Sequence, residues 1–222
     1  MEGAGRSPES EFDQPLIAID VVPLAFSVVD GLRVGTATRL FEPYAGHQAL
    51  PGVLLRSGER LGVAAYRALQ DKTGIHASDV LRTVQLGAFD RPGRDPRSHA
   101  ISIAFLAIVT PGSGDHTVWS PTGAELGLPF DHDAIIDAAL EQARNRLWTD
   151  PATTRALTGD TFPGNVASSL TTALTGKVPI LSNLNRVLAS NPNVTKLSGD
   201  STGGRGRAAL WKWNDWISTV SR

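Results

Sequence analysis

The stretch Leu50–Ile75, LPGVLLRSGERLGVAAYRALQDKTGI, decides the fold. Val53–Leu55 is apolar and of strand type, and Ser57-Gly58 supplies turn residues after it. From Glu59 onward Leu61, Ala64, Ala65, Ala68 and Leu69 recur at helical spacing, which predicts an amphipathic helix closed by Gly74. Positions 68, 71 and 72 stand as i, i+3 and i+4, so Ala68, Asp71 and Lys72 share one face. Periodicity by itself equally describes an ordinary surface helix with Lys72 solvated. The flanking Leu50-Pro51-Gly52 is not accounted for by periodicity.

The stretch resembles a Nudix box, G-x5-E-x7-R-E-U-x-E-E-x-G-U with U apolar. Laid on Val53–Ile75, the match keeps Glu59, Arg67, Leu69, Gly74 and Ile75, preceded by the usual Leu-Pro-Gly. It departs where Val53 replaces a glycine and where Ala68, Asp71 and Lys72 replace glutamates. In that family the glutamates of one helical face hold Mg²⁺ against a pyrophosphate. Ala68 offers no ligand, Asp71 has a shorter reach, and Lys72 brings a positive charge to a seat meant for a cation. The expectation is a chain without a resident metal or cofactor that binds a nucleotide and does not hydrolyse it, Lys72 standing in for part of the metal charge.

Outward from the box, the chain reads as an α+β domain. Leu16–Phe41 reads as two strands around Asp30-Gly31, with Pro23 suggesting an edge or a bulge. Val80–Phe89 and His99–Thr110 read as strands joined by a polar loop, the second buried on both faces. Val118-Trp119 begins a further short strand. Asp131–Trp148 is the clearest helix, with Asp131 or Asp133 as its cap and Ile135, Ile136, Ala139, Leu140, Ala143 and Leu147 on its apolar face. Beyond it the character changes. Val166–Leu174 and Leu181–Leu188 are short helical patterns, followed by Val194–Leu197, a Gly-rich run and Ala209–Trp213, the layout of a winged helix-turn-helix. Trp211 and Trp213 alternate on one strand, so both are expected in its core.

Three later segments narrow the resemblance. Gln85–Arg97 with the apolar run after it resembles the strand–loop–strand of ADP-ribose-related Nudix proteins. Pro129–Trp148, PFDHDAIIDAALEQARNRLW, and Gly203–Trp213, GGRGRAALWKW, resemble the F-D-H helix and the wing of the Nudix-related transcriptional regulators of NAD metabolism, NrtR. The resemblance covers residues 15–213. It implies an N-terminal Nudix-like α/β/α sandwich with a mixed sheet (residues 15–150), after a flexible tail at 1–14, and a linker helix with a winged helix-turn-helix (151–222). It also implies a homodimeric repressor of NAD synthesis or salvage genes. Such a repressor senses ADP-ribose or a related NAD-derived nucleotide and binds a palindromic double-stranded operator.

Candidate ligand contacts are Arg39, Arg56, Glu59, Lys72, Arg91, Arg94 and Arg97, which lie in or next to segments that line a Nudix cleft; a dianionic pyrophosphate favours arginine. Arg67 reads as the structural partner of Glu59. Asp131-His132 reads as a cap with a buried histidine. For DNA, Ser182, Asn183, Asn185 and Arg186 open the second short helix, where a recognition helix presents side chains to base edges. Arg205 and Arg207 flank the wing tip, and Lys177 and Lys196 suit phosphates.

Composition agrees with a folded chain whose basic later segment suits a polyanion, although a chance charge excess on a solvated surface reads the same way. Apolar residues make up 41% and charged residues 19%, enough for a core. There is no cysteine, so disulfides and thiolate metal sites are excluded, and the five histidines have no zinc spacing. No membrane span or signal peptide is legible, and a cytoplasmic location is expected. Charge is split: 14 Lys+Arg against 19 Asp+Glu through Thr158, then 7 against 3. Two other functions fit the residues. One is an ADP-ribose pyrophosphatase with an irregular metal site at Glu59 and Asp71; the other is a metabolite-binding adaptor with a basic tail.

Overall fold

The long strand β1 (Leu16–Ser27) organises the first half of the molecule. The structure, a computed structural model, describes residues 14–197 and 209–214. β1 runs parallel to β6 (Ala100–Val109) and antiparallel to β2 (Gly31–Thr38) and the short β4 (Gly52–Leu54). The hairpin partner β5 (Val80–Phe89) lies outside β6. On the other side β2 carries β3 (Gln48–Ala49) and β7 (Val118–Pro121). The resulting mixed sheet has the order β3-β2-β1-β6-β5, with β4 and β7 attached off that path.

Strand alternation divides this sheet into two faces. Ile19, Val21, Phe105, Ala107 and Val109 meet Ala64, Ala65, Ala68 and Leu69 of α1 (Leu61–Thr73). Val22, Leu24, Leu106 and Ile108 meet Ile135, Ile136, Ala139 and Ala143 of α2 (His132–Arg146). The sandwich and the double-sided burial of β6 are therefore as the sequence led one to expect. Helix α1 ends at Gly74, which takes the left-handed conformation (φ 74°) and donates its N–H to the Gln70 carbonyl.

Two local expectations are corrected. Pro23 does not mark an edge, since β1 is central. Its missing N–H is tolerated because β4 covers Ala18–Asp20 and β2 begins pairing only at Leu24. Val21 donates to the Pro51 carbonyl on that side, and Pro23, two residues on, is aimed into the gap between the pairings. Asp131 precedes α2 but its side chain does not cap it; both of its oxygens are held by Arg94. Asp133 instead accepts from the Leu128 N–H.

The second half begins with α3 (Pro151–Thr158), capped by the Asp150 carboxylate on the N–H groups of Ala152 and Thr153. Next come β8 (Thr161–Pro163), α4 (Gly164–Thr175), α5 (Leu181–Ser190), β9 (Val194–Leu197) and β10 (Leu210–Trp213). The three strands form an antiparallel sheet in the order β8-β10-β9. Trp211 and Trp213 are buried with Phe162, Leu184, Leu188 and Val194. Trp148 stacks on Trp213 at 6.5 Å, and the apolar cluster under α2 continues into Leu157, Leu170 and Leu174. The tail to residue 13 and the arginines expected at the wing tip, Arg205 and Arg207, lie outside the described residues.

Candidate functional site

The pleat of β1 places one carboxylate, Asp20, on the α2 face of the sheet, in the middle of an otherwise apolar strand. A buried charge survives only if it is paired and hydrogen-bonded. Ser102, on the adjacent β6 two residues before the register partner Ala104, donates its hydroxyl to Asp20 at 2.6 Å. Arg94, only 4% exposed, spans Asp20 (3.2 Å) and Asp131, the latter bidentately through Nε and Nη2 at 2.8–3.1 Å. His132, buried as expected, accepts the Leu50 N–H on Nδ1 at 3.0 Å, so that nitrogen carries no proton. Its Nε2 lies 3.8 Å from Asp20. Burial pushes the imidazole pKa below its usual value, against the pull of the Asp20 carboxylate.

The Leu-Pro-Gly segment closes over this network. A Cβ on Gly52 would overlap Asp20 Oδ1, so glycine there lets the backbone approach the carboxylate. On the far side of β4, Glu59 is clasped by Arg67 through two hydrogen bonds of 2.7 and 2.8 Å, and it accepts the Arg56 N–H. The Arg67 guanidinium, then that N–H, push its carboxyl down to about 2. Arg67 also holds the Leu54 carbonyl, tying α1 to β4.

Between these two arrangements lies a cleft of about 500 Å³. Of the sequence candidates, Arg39, Arg56, Lys72, Arg94 and Arg97 line it. Glu59 and Arg91 do not: Glu59 is turned to Arg67, and Arg91 sits exposed in the β5–β6 loop. Arg94 contributes the floor with Nε and Nη2 already committed, and Arg97 is paired with Asp95 at 2.7 Å. Arg39 is held by the carbonyls of Pro43 (2.8 Å) and Phe41 and stands 4.8 Å over the Phe130 ring. Arg56 and Lys72 have no ion pair within 4 Å among the described residues. A second lobe of about 490 Å³ adjoins, sharing Arg39, Phe41, Asp71 and Lys72 and adding Thr38, Leu40 and His116.

The donor set on α1 does not suit a divalent metal. Ala68 is apolar and wholly buried against the sheet, Asp71 is a single carboxylate, and Lys72 is a cation beside it. Among the described residues no group of three His, Asp or Glu is arranged to hold a metal ion.

On the second half, α5 buries Leu184 and Leu188 and exposes Ser182, Asn183, Asn185 and Arg186 on the opposite side. Arg186 donates to the Asn183 side-chain oxygen at 2.7 Å. Lys177, in the α4–α5 turn, and Lys196, on β9, are exposed as well.

No family model matches the chain. It is 35% identical over 119 residues to the ADP-ribose pyrophosphatase of Methanocaldococcus jannaschii, an alignment covering 49% of this chain and 69% of that one. This chain belongs to the Nudix family. The Nudix fold is matched together with the second half by the Shewanella oneidensis NrtR, solved with a 27mer DNA. That likeness has a TM-score of 0.72 at 20% identity and covers 89% of this chain and 93% of that one. The Nudix domain of the same NrtR, solved with ADP ribose, matches with a TM-score of 0.53 at 24% identity, covering 62% and 93%.

Several residues of this Nudix site were not singled out from sequence: Asp20, Ser102 and Phe41. Asp20 did leave a signal, a lone carboxylate within LIAIDVVPLAFS. The others became visible only through contacts across the fold.

Proposed function

We propose that the chain is a ligand-responsive transcriptional repressor of NAD biosynthesis or salvage genes. In this reading residues 15–150 sense ADP-ribose or a related NAD-derived nucleotide without hydrolysing it. Residues 151–222 bind a palindromic operator in double-stranded DNA as part of a cytoplasmic homodimer. The observation that carries the proposal is the α1 face turned to the cleft: Lys72 and Asp71 line it while Ala68 packs into the sheet. A helix that elsewhere in the family offers carboxylates to metal here offers an ammonium with no ion pair among the described residues, suited to a diphosphate directly.

The DNA part draws on α5, whose exposed Asn183, Asn185 and Arg186 carry the groups that read adenine and guanine. It draws also on the NrtR solved with DNA, which has the same overall fold. The exposed cations Lys177 and Lys196 suit backbone phosphates, and Arg205 and Arg207, which the sequence leads one to expect at a wing tip, would add to them.

The test is fluorescence anisotropy of labelled DNA from the region upstream of the chain's own gene, with and without ADP-ribose, in EDTA. Specific binding that shifts with ADP-ribose supports the reading. Binding that is absent, or indifferent to every NAD-derived nucleotide, removes it. The hydrolase reading is favoured by one observation, the identity to an ADP-ribose pyrophosphatase. It requires Asp71 and Glu59 to act as metal ligands, although Glu59 is held by Arg67.

A further inference from the structure

The turn between α4 and α5 carries an apolar surface that is exposed among the described residues. Val178 is 79% exposed, Ile180 67% and Leu181 60%. These are not loose core residues, because the core-facing positions of α5 are Leu184 and Leu188, both buried. Nor is the turn slack. Gly176 closes α4 in the left-handed conformation and donates to the Thr172 carbonyl. The Thr175 hydroxyl donates to the Thr171 carbonyl at 2.7 Å and accepts the Lys177 N–H at 3.3 Å. Pro179 restricts Val178 to extended backbone. The backbone that presents the apolar side chains is therefore constrained.

Their surroundings specify the partner. Residues 161–199 contain no Asp or Glu, while Lys177, Arg186 and Lys196 are all exposed. Ser182, Asn183 and Arg186 follow the apolar turn directly on α5. An apolar row set in a segment of purely positive charge, next to amide and guanidinium groups, is complementary to the major groove. Phosphates line its edges, and the thymine C5-methyl is the apolar mark on its floor.

We propose that Val178 and Ile180 form an apolar reading edge that contacts thymine methyl groups, alongside the polar reading by α5. This rests on the DNA-binding function proposed above and adds to it a base preference and the residues that impose it.

The experiment selects duplexes from a random library with the full chain, then replaces each thymine of the selected sequence by deoxyuridine, which removes the methyl group alone. The expected result is a loss of about fourfold in affinity per contacted methyl at one or two positions. In Val178→Ala/Ile180→Ala that loss disappears while the duplex is still bound, the signature of a direct coupling. Fluorescence of the buried Trp211 and Trp213 verifies that the variant is folded. Deoxyuridine that is silent everywhere, or a penalty unchanged in the double variant, overturns the inference and leaves DNA binding intact. Variants that alter self-association instead of deoxyuridine sensitivity assign the patch to a second copy and overturn it too. Selection of no duplex above background removes the DNA-binding reading itself, and this inference with it.

Discussion

Arg94 holds both carboxylate oxygens of Asp131, a residue 37 positions away, at 2.8–3.1 Å in the buried floor of the cleft. This pair joins the β5–β6 loop to the start of α2, and through Asp20 it joins both to the central strand. Removing Asp131 strips the buried Arg94 guanidinium of its bidentate partner and leaves it the single, longer contact to Asp20. Asp131→Ala should therefore lower unfolding free energy by about 3–5 kcal/mol, measured by urea denaturation. A loss below about 1 kcal/mol would show that solvent reaches the guanidinium.

Acid should destabilise the protein in two separate steps. His132 is held neutral by burial, so its folded pKa is lowered. Below about pH 6.5 the unfolded chain takes up a proton at this residue that the folded chain does not, and stability falls. Glu59 is pushed down to about 2 by Arg67. Its contribution is present above the unfolded value, near 4.3, and is lost as pH falls from there to about 2. His132→Gln should remove the first step, and Arg67→Met should shrink the second, to which the ion-paired Asp95, Asp150 and Asp160 also contribute. Denaturation midpoints followed from pH 7 to pH 3 read both.

Lys72 offers the sharpest separation between sensing and hydrolysis. If its ammonium meets a diphosphate, Lys72→Ala should weaken ADP-ribose binding by about 1.5–3 kcal/mol, tenfold or more in Kd. Lys72→Glu should weaken it further. Calorimetric titration in EDTA is the measurement, and wild-type binding that appears only with Mg²⁺ would contradict the account.

The two classes of DNA contact should differ in kind. Arg186→Ala should cost about 1–3 kcal/mol and relax preference at one base pair. Lys196→Ala should weaken binding evenly across sequences and reduce the salt slope by about one. Salt titrations on selected and scrambled duplexes distinguish these outcomes, and identical behaviour of the two variants would remove Arg186 from base reading.

What could be foreseen from the chain was local. The α1 helix and its Gly74 cap follow from apolar spacing and one residue suited to a positive φ. The core positions of Trp211 and Trp213 follow from strand alternation. Arg56 and Lys72 line the cleft because they lie in the box and β4 brings that segment beside β1, while Arg39 follows the end of β2 and Arg97 comes from the β5–β6 loop. The misses depend on distant partners. β8 is three residues long and pairs with β10, at the far end of the chain. Asp131 was assigned to capping because a carboxylate before a helix usually caps it. Here Arg94, which no spacing rule connects to it, takes both oxygens. Pro23 was misplaced for a similar reason, since its neighbours β4 and β2 meet β1 on either side of it.

The central claim is that the cleft binds an NAD-derived nucleotide and leaves it intact. The direct measurement is to incubate ADP-ribose with the protein and Mg²⁺ and to quantify AMP by chromatography over several hours. The account predicts that ADP-ribose is recovered unchanged at amounts equal to or above the protein. Repeated turnover to AMP and ribose 5-phosphate would contradict it and make Asp71 and Glu59 the metal ligands after all.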